Sequence, residues 1–101
     1  MPAYYLFDVE EVTNPQMMDE YRQRVLATVQ QFGGRYLTVG GAVSVVEGTW
    51  KPTFPVLIEF PSIEKARQWY DSDVYAAIKH LRTGATRGHA ILIDAAPFQP
   101  G

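Results

Sequence analysis

The sequence contains no cysteine. That excludes disulfides, thiolate zinc sites, iron–sulfur clusters and a cysteine nucleophile. Only two histidines are present, His80 and His89, and neither has a metal-type ligand three or four positions away. No metal and no haem or other cofactor is therefore expected. Charge of one sign is also scarce: nine basic and eleven acidic residues leave a net charge of -2. Without a basic block there is no footprint for nucleic acid or anionic lipid. No apolar run approaches the ~18 residues of a membrane span, and the N-terminus lacks a signal-peptide pattern. None of the three serines (Ser44, Ser62, Ser72) sits in a Gly-x-Ser-x-Gly elbow. No Gly-x-Gly-x-x-Gly follows the first apolar run, so a dinucleotide unit is not expected.

What is present is the composition of a globular chain: 101 residues, 47% apolar, 20% charged and 13% aromatic. That length suits one domain, which buries roughly 65% of the surface of its unfolded form. These features predict a small soluble, cytoplasmic domain over residues 1–95, with 96–101 as a loose tail carrying two prolines.

Alternation over Tyr4 to Val12 predicts a strand, with Tyr5, Phe7 and Val9 on one face and Tyr4, Leu6, Asp8 and Glu10 on the other. Asn14-Pro15 is a helix start, because Asn caps and Pro fits the first turn. Met18, Tyr21, Val25, Val29 and Phe32 then form one apolar stripe, ended by Gly33-Gly34. Arg35 to Val39 is β-rich, and Ala42 to Glu47 reads as its continuation. A bulge at Gly40-Gly41 fits this best, with a tight hairpin as the alternative. Gly48 to Phe54 is a turn, and Pro55 to Phe60 a third strand.

Ser62 caps a second helix with Ile63, Ala66, Trp69 and Tyr70 inward. Asp71-Ser72-Asp73 breaks it, and a further helix turns Val74, Ala77, Ile78 and Leu81 inward before Gly84. Arg87 to Asp94 is the last strand. The order β-α-β-β-α-β is the ferredoxin-like arrangement: an α+β fold with a four-stranded antiparallel sheet and helices on one face. The first and third strands are its central pair.

A sheet covered on one face should alternate apolar and polar residues. Here Val56-Leu57-Ile58 and Ala90-Ile91-Leu92-Ile93 are apolar at consecutive positions. The second face is thus apolar too, and a second copy packed against it as a two-fold homodimer would cover it.

Several motifs in fixed order carry a family resemblance. They are Gly33-Gly34-Arg35-Tyr36-Leu37, Gly40-Gly41, Glu47-Gly48-x-Trp50-x-Pro52, Glu59-Phe60-Pro61-Ser62, and Ala66-x-x-Trp69-Tyr70-x-Ser72-x-x-Tyr75. With these, the stretch from Ala3 to Ala95 resembles the domain-of-unknown-function family numbered 1330, in the dimeric α/β-barrel superfamily. The resemblance implies a ferredoxin-like protomer and a two-fold dimer. It implies no activity, since the superfamily holds cofactor-independent monooxygenases, haem enzymes, isomerases and plain ligand binders.

The candidate chemistry begins with two carboxylates. Asp8 and Glu59 lie on neighbouring central strands, on the face assigned to the dimer, so both are candidates for one interior. There desolvation and repulsion would raise a pKa toward general acid–base work. The plainer reading leaves each at a sheet end, solvated or paired with an arginine. Arg35, Arg82 and Arg87 offer a fork for a carboxylate or enolate, against a plainer reading as partners of Asp8, Glu47, Glu59 or Asp94. Tyr21, Tyr36, Trp69 and Tyr70 form an aromatic set with polar tips, suited to lining a pocket for a small planar or acidic molecule or simply to filling a core.

Tyr75 and Lys79 match Tyr-x-x-x-Lys, but no dinucleotide unit accompanies them. Tyr75 is read as packing and Lys79 as solvated. Two functions follow. One is a cofactor-independent enzyme acting on a small organic acid or aromatic compound, with Asp8 or Glu59 moving a proton and Arg35 or Arg82 holding negative charge. The other is a non-catalytic ligand-binding or structural homodimer.

Overall fold

The computed structural model describes residues 1–98. Seven elements follow one another: β1 (Ala3–Val12), α1 (Pro15–Gln31), β2 (Arg35–Val39), β3 (Pro55–Phe60), α2 (Ile63–Asp71), α3 (Asp73–Thr83) and β4 (Thr86–Asp94). The four strands make one sheet in the order β2-β3-β1-β4, with every pair antiparallel. This is the expected ferredoxin-like topology, with β1 and β3 central. Residues 99–101 of the expected tail lie outside the described residues.

Local chemistry explains the helix starts. The Asn14 side chain accepts from the Met17 amide and Pro15 follows it. The Ser62 side chain accepts from the Lys65 amide. Ser72 serves two helices at once. Its hydroxyl donates to the Trp69 carbonyl at 2.7 Å and accepts from the Tyr75 amide at 3.1 Å. It therefore closes α2 and opens α3 within one residue.

The core lies between the helices and one sheet face. Tyr5 and Phe7 of β1, Ile58 and Phe60 of β3, and Met18, Tyr21, Val25 and Val29 of α1 are all buried there. Trp69 is wholly buried at its centre. Its indole N–H donates to the Thr28 hydroxyl at 3.0 Å, and its ring lies 4.2 Å from that of Tyr75. The Tyr5 hydroxyl donates to the Ala66 carbonyl at 2.9 Å. The polar tips of the buried aromatics are thus satisfied, as burial demands.

Register assigns the other face. Tyr4 stands opposite Glu59 and Ile93, and Leu6 opposite Leu57 and Ile91. Among the described residues no helix covers this side. Ile91 and Ile93 remain 51% and 44% exposed, beside half-buried Leu6 and Leu57. The second apolar face anticipated from the sequence is present.

Three expectations need correction. Ala42 to Glu47 does not continue β2, which ends at Val39. Gly40 and Gly41 take φ of 74° and 107°, and the Gly40 amide donates to the Pro55 carbonyl at 2.7 Å. The chain is therefore turned off the sheet. β2 is an edge strand, so the β propensity of Val43, Val45 and Val46 finds no further ladder to join.

The second correction concerns α3. Val74 and Ala77 face solvent, and Tyr75 takes the inward position with Ile78 and Leu81. Stacking on Trp69 favours the phase that buries the larger ring. The third concerns Lys79, which is not simply solvated. Its Nζ lies 3.9 Å from the centroid of the Tyr70 ring, a cation–π contact.

Candidate functional site

A cavity of about 490 Å³ opens between α1 and the helix-facing side of the sheet. Its walls are mostly apolar. Phe7 and Val9 of β1, Val56 and Ile58 of β3, and Val25 and Leu26 of α1 supply them. Tyr21, Tyr36 and Arg82 are the polar groups that reach the interior, while Glu10, Glu11 and Arg22 stand at its rim.

Each polar group is placed by its element. Tyr21 sits on the inward stripe of α1. Tyr36 stands on β2 opposite Ile58, just before the register shift between Tyr36 and Thr38. Arg82 follows Leu81 on the last turn of α3, and its stem reaches back over the sheet. Its guanidinium carbon lies 4.9 Å from the centroid of the Phe7 ring. Arg82 Nε donates to the Tyr75 hydroxyl at 3.2 Å, and the hydroxyls of Tyr75 and Tyr21 are 2.8 Å apart. An arginine and two phenols thus form one chain at the floor of an apolar chamber.

Burial, reinforced by the adjoining Tyr75 oxygen, pushes the Tyr21 phenol well up. Burial likewise raises Tyr36 to about 12. Arg82 feels two opposed influences. Burial is the largest single influence and disfavours its charge, but Tyr75, Tyr21 and Tyr70 together outweigh it, and the net shift is upward. At neutral pH the floor therefore carries one firm positive charge and neutral hydroxyls.

The other candidate residues lie elsewhere. Asp8 is buried, but its Oδ1 accepts from the amides of Thr53 at 2.9 Å and Phe54 at 2.8 Å. It pins the segment entering β3. It also lines a second, smaller cavity of about 230 Å³ between β1, β4 and the end of α3, where Arg82 forms the shared wall. Glu59 sits on the helix-free face and accepts from Arg35 Nε at 2.9 Å. That hydrogen bond holds its carboxyl below its ordinary value, against desolvation and with help from Tyr4.

Asp8 pairs with Pro55 and Tyr4 with Glu59, so the two carboxylates are four positions apart along β1, or about 13 Å. They share a face of the sheet but do not converge. Arg87 pairs with Glu11 at 3.0 Å. Trp69 and Tyr70 belong to the core and not to the cavity wall, Trp69 because it is enclosed on all sides.

Tyr75 is the member of the floor that residue-type reasoning assigned only to packing. Its spacing of seven from Arg82, close to two full helical turns, places both on one side of α3, and that was the available signal. Among the described residues no group of three or more His, Asp or Glu gathers as a metal site.

A family model described as "Domain of unknown function (DUF1330)" matches residues 2–96. The chain belongs to the DUF1330 family. A comparison with curated proteins found no match.

Solved structures share the fold. The RPA0582 protein of unknown function from Rhodopseudomonas palustris is 17% identical and superposes with a TM-score of 0.69, covering 98% of this chain and 84% of its own. SnoaB, a cofactor-independent oxygenase from Streptomyces nogalater, is 14% identical with a TM-score of 0.58, covering 99% and 96%. An antibiotic biosynthesis monooxygenase is 18% identical with a TM-score of 0.52, covering 96% and 100%. At such identities these likenesses establish the DUF1330 chain's fold and nothing finer.

Proposed function

We propose that this DUF1330 protein binds a small organic acid or aromatic compound in the cavity under α1 and acts on it without a cofactor. One observation carries the reading: an apolar chamber of about 490 Å³ holds a single inward cation, Arg82, tethered to two phenols. Volume of that order suits a small organic ligand, and a few convergent polar groups orient it. Arg82 would hold the ligand's negative charge, while Tyr21 and Tyr36 would contact its polar edge. The fold shared with a cofactor-independent oxygenase supports chemistry in such a chamber.

A fragment screen of aromatic carboxylates and phenols by NMR tests the binding. Shifts confined to Tyr21, Tyr36, Val25 and their neighbours are expected. An absence of shifts at these positions with every fragment would overturn the reading. Oxygen uptake with the bound fragments, with no cofactor added, tests the chemistry.

The placement of the carboxylates favours the second reading, a non-catalytic binder. Asp8 is held by backbone amides and Glu59 by Arg35, and neither reaches the cavity. A catalyst here would work on a ligand that arrives already ionised. Binding without oxygen uptake or product would decide for the binder.

We infer further that the protein works as a two-fold homodimer joined through the helix-free sheet face. Burying one exposed aliphatic side chain contributes ~1.5–3 kcal/mol, and Leu6, Leu57, Ile91 and Ile93 form one contiguous set on that face. An antiparallel sheet presents this set to its own copy in a self-complementary way.

A further inference from the structure

The hydroxyl of Tyr75 has one proton to give. Its oxygen already accepts from Arg82 Nε at 3.2 Å. The ring is fully buried and does not line the cavity. Among the described residues, the Tyr21 hydroxyl at 2.8 Å is the one acceptor within reach of that proton. If Tyr21 donated instead, a buried O–H would be stranded, which folded interiors avoid. The chain therefore runs in one direction, Arg82 to Tyr75 to Tyr21. The Tyr21 proton is then left over, and Tyr21 lines the chamber.

The remaining groups agree with this polarity. Arg82 keeps its terminal N–H groups, which can only donate. The carboxylates at the rim are engaged, Glu10 with His89 at 2.6 Å and Glu11 with Arg87 at 3.0 Å. Neither Asp8 nor Glu59 enters. The interior thus combines apolar walls with the Arg82 and Tyr21 donors and the Tyr36 hydroxyl, and the carboxylates at its rim are paired.

We propose that Tyr75 fixes the hydrogen-bond polarity of the cavity floor, so that Arg82 and Tyr21 both present donors there and the site takes its ligand through an ionised oxygen, a carboxylate, phenolate or enolate on an apolar body. This rests on the reading of the cavity as a ligand site, and it names the protonation state that the site selects. Tyr75 acts as a positioning residue, since it touches Arg82 and Tyr21 and not the ligand. Amines and amidines of the same shape are disfavoured because Arg82 repels their charge.

4-Nitrophenol is a suitable probe, because its ionised form is coloured, and nitrobenzene is its neutral counterpart. With the intact chain, 4-nitrophenolate should bind at least roughly tenfold tighter than nitrobenzene, the value of one charge-assisted hydrogen bond. The pKa of bound 4-nitrophenol should fall by roughly one unit or more beside Arg82. Tyr75→Phe should shrink that fall while leaving nitrobenzene affinity within about twofold, a split that mere loosening of the fold would not produce. Should Tyr75→Phe fail to fold, Tyr21→Phe is the second variant, and it should shrink the fall in the same way.

An unchanged colour transition in the folded variant would overturn the role of Tyr75. Equal binding of nitrobenzene and 4-nitrophenolate, or equal binding of 4-nitrobenzylamine, would overturn the donor polarity of the floor while the cavity remained a ligand site. Failure of every probe to bind would overturn the ligand site itself and this inference with it.

Discussion

Asp8 shows how the backbone around a carboxylate decides its use. One of its oxygens accepts two amides from Thr53 and Phe54, and these bonds are charge-assisted. Asp8→Ala should cost roughly 1.5–3 kcal/mol in chemical denaturation, and an unchanged midpoint would show that the 53–54 segment needs no anchor. Glu59 behaves differently because its partner is exposed. Arg35 and then Tyr4 depress its folded pKa from 4.5. Its stabilising effect is therefore complete above the ordinary carboxylate range and is lost as pH falls through the lowered value. Glu59→Gln should flatten the acid limb of the stability profile below about pH 4.5 and leave neutral stability little changed.

The phenols give the opposite sign. Tyr36 is raised from 10.0 to about 12, so what it contributes is fully present below pH 10 and fades as pH climbs toward 12. Tyrosinate absorbance of the folded chain should show Tyr36 ionising only near pH 12, and ionisation near pH 10 would contradict its burial. At this scale the sequence marked Tyr21, Tyr36 and Arg82 as site material, and the structure brings these three to one chamber. It could not separate them from Asp8, Glu59, Arg35, Trp69 and Tyr70, because a side chain's company is set by strands and helices far away in sequence.

Among the elements, the starts and stops were the most legible, since Asn14-Pro15, Ser62 and Ser72 act through bonds three residues long. Ser72→Ala removes a bond from each of two helices and should cost about 1–2 kcal/mol. The phase of α3 was less legible. Val74-Ala77-Ile78-Leu81 and Tyr75-Ile78-Leu81 both follow helical spacing, and only contact with Trp69 and Tyr21 chooses between them. The valines of 42–47 mislead for a related reason, because a strand needs a neighbour as well as a propensity.

Gly88 shows a constraint that no spacing announces. It stands opposite Val9, where an added Cβ would drive into the Asp8 carbonyl. Backbone cannot retreat as a flexible side chain does. Gly88→Ala should therefore break the β1–β4 seam, with a loss above about 2 kcal/mol or failure to accumulate. Normal melting of the variant would sink this account.

For the molecule as a whole, the extents of 49 × 32 × 16 Å describe a thin slab, one layer of helices on one sheet. No helix in the described residues is long and apolar enough to cross a membrane. A slab this thin has one face too many, and the aliphatic residues of that face were readable from consecutive apolar positions in β3 and β4. Sedimentation at micromolar concentration should give twice the 11.4 kDa chain mass. Ile91→Glu should return the particle to one chain, and a wild-type chain already sedimenting singly would dispose of the dimer.

The two tryptophans occupy contrary surroundings, Trp69 sealed at 0% and Trp50 open at 69% on the segment that Gly40 and Gly41 turn off the sheet. The emission of the native chain should accordingly split into a blue component and a red one. Quenching by added iodide would strip the red light alone. Whatever covers that projecting segment, a sister chain included, would then announce itself as a change of colour while the blue signal kept watch over the interior.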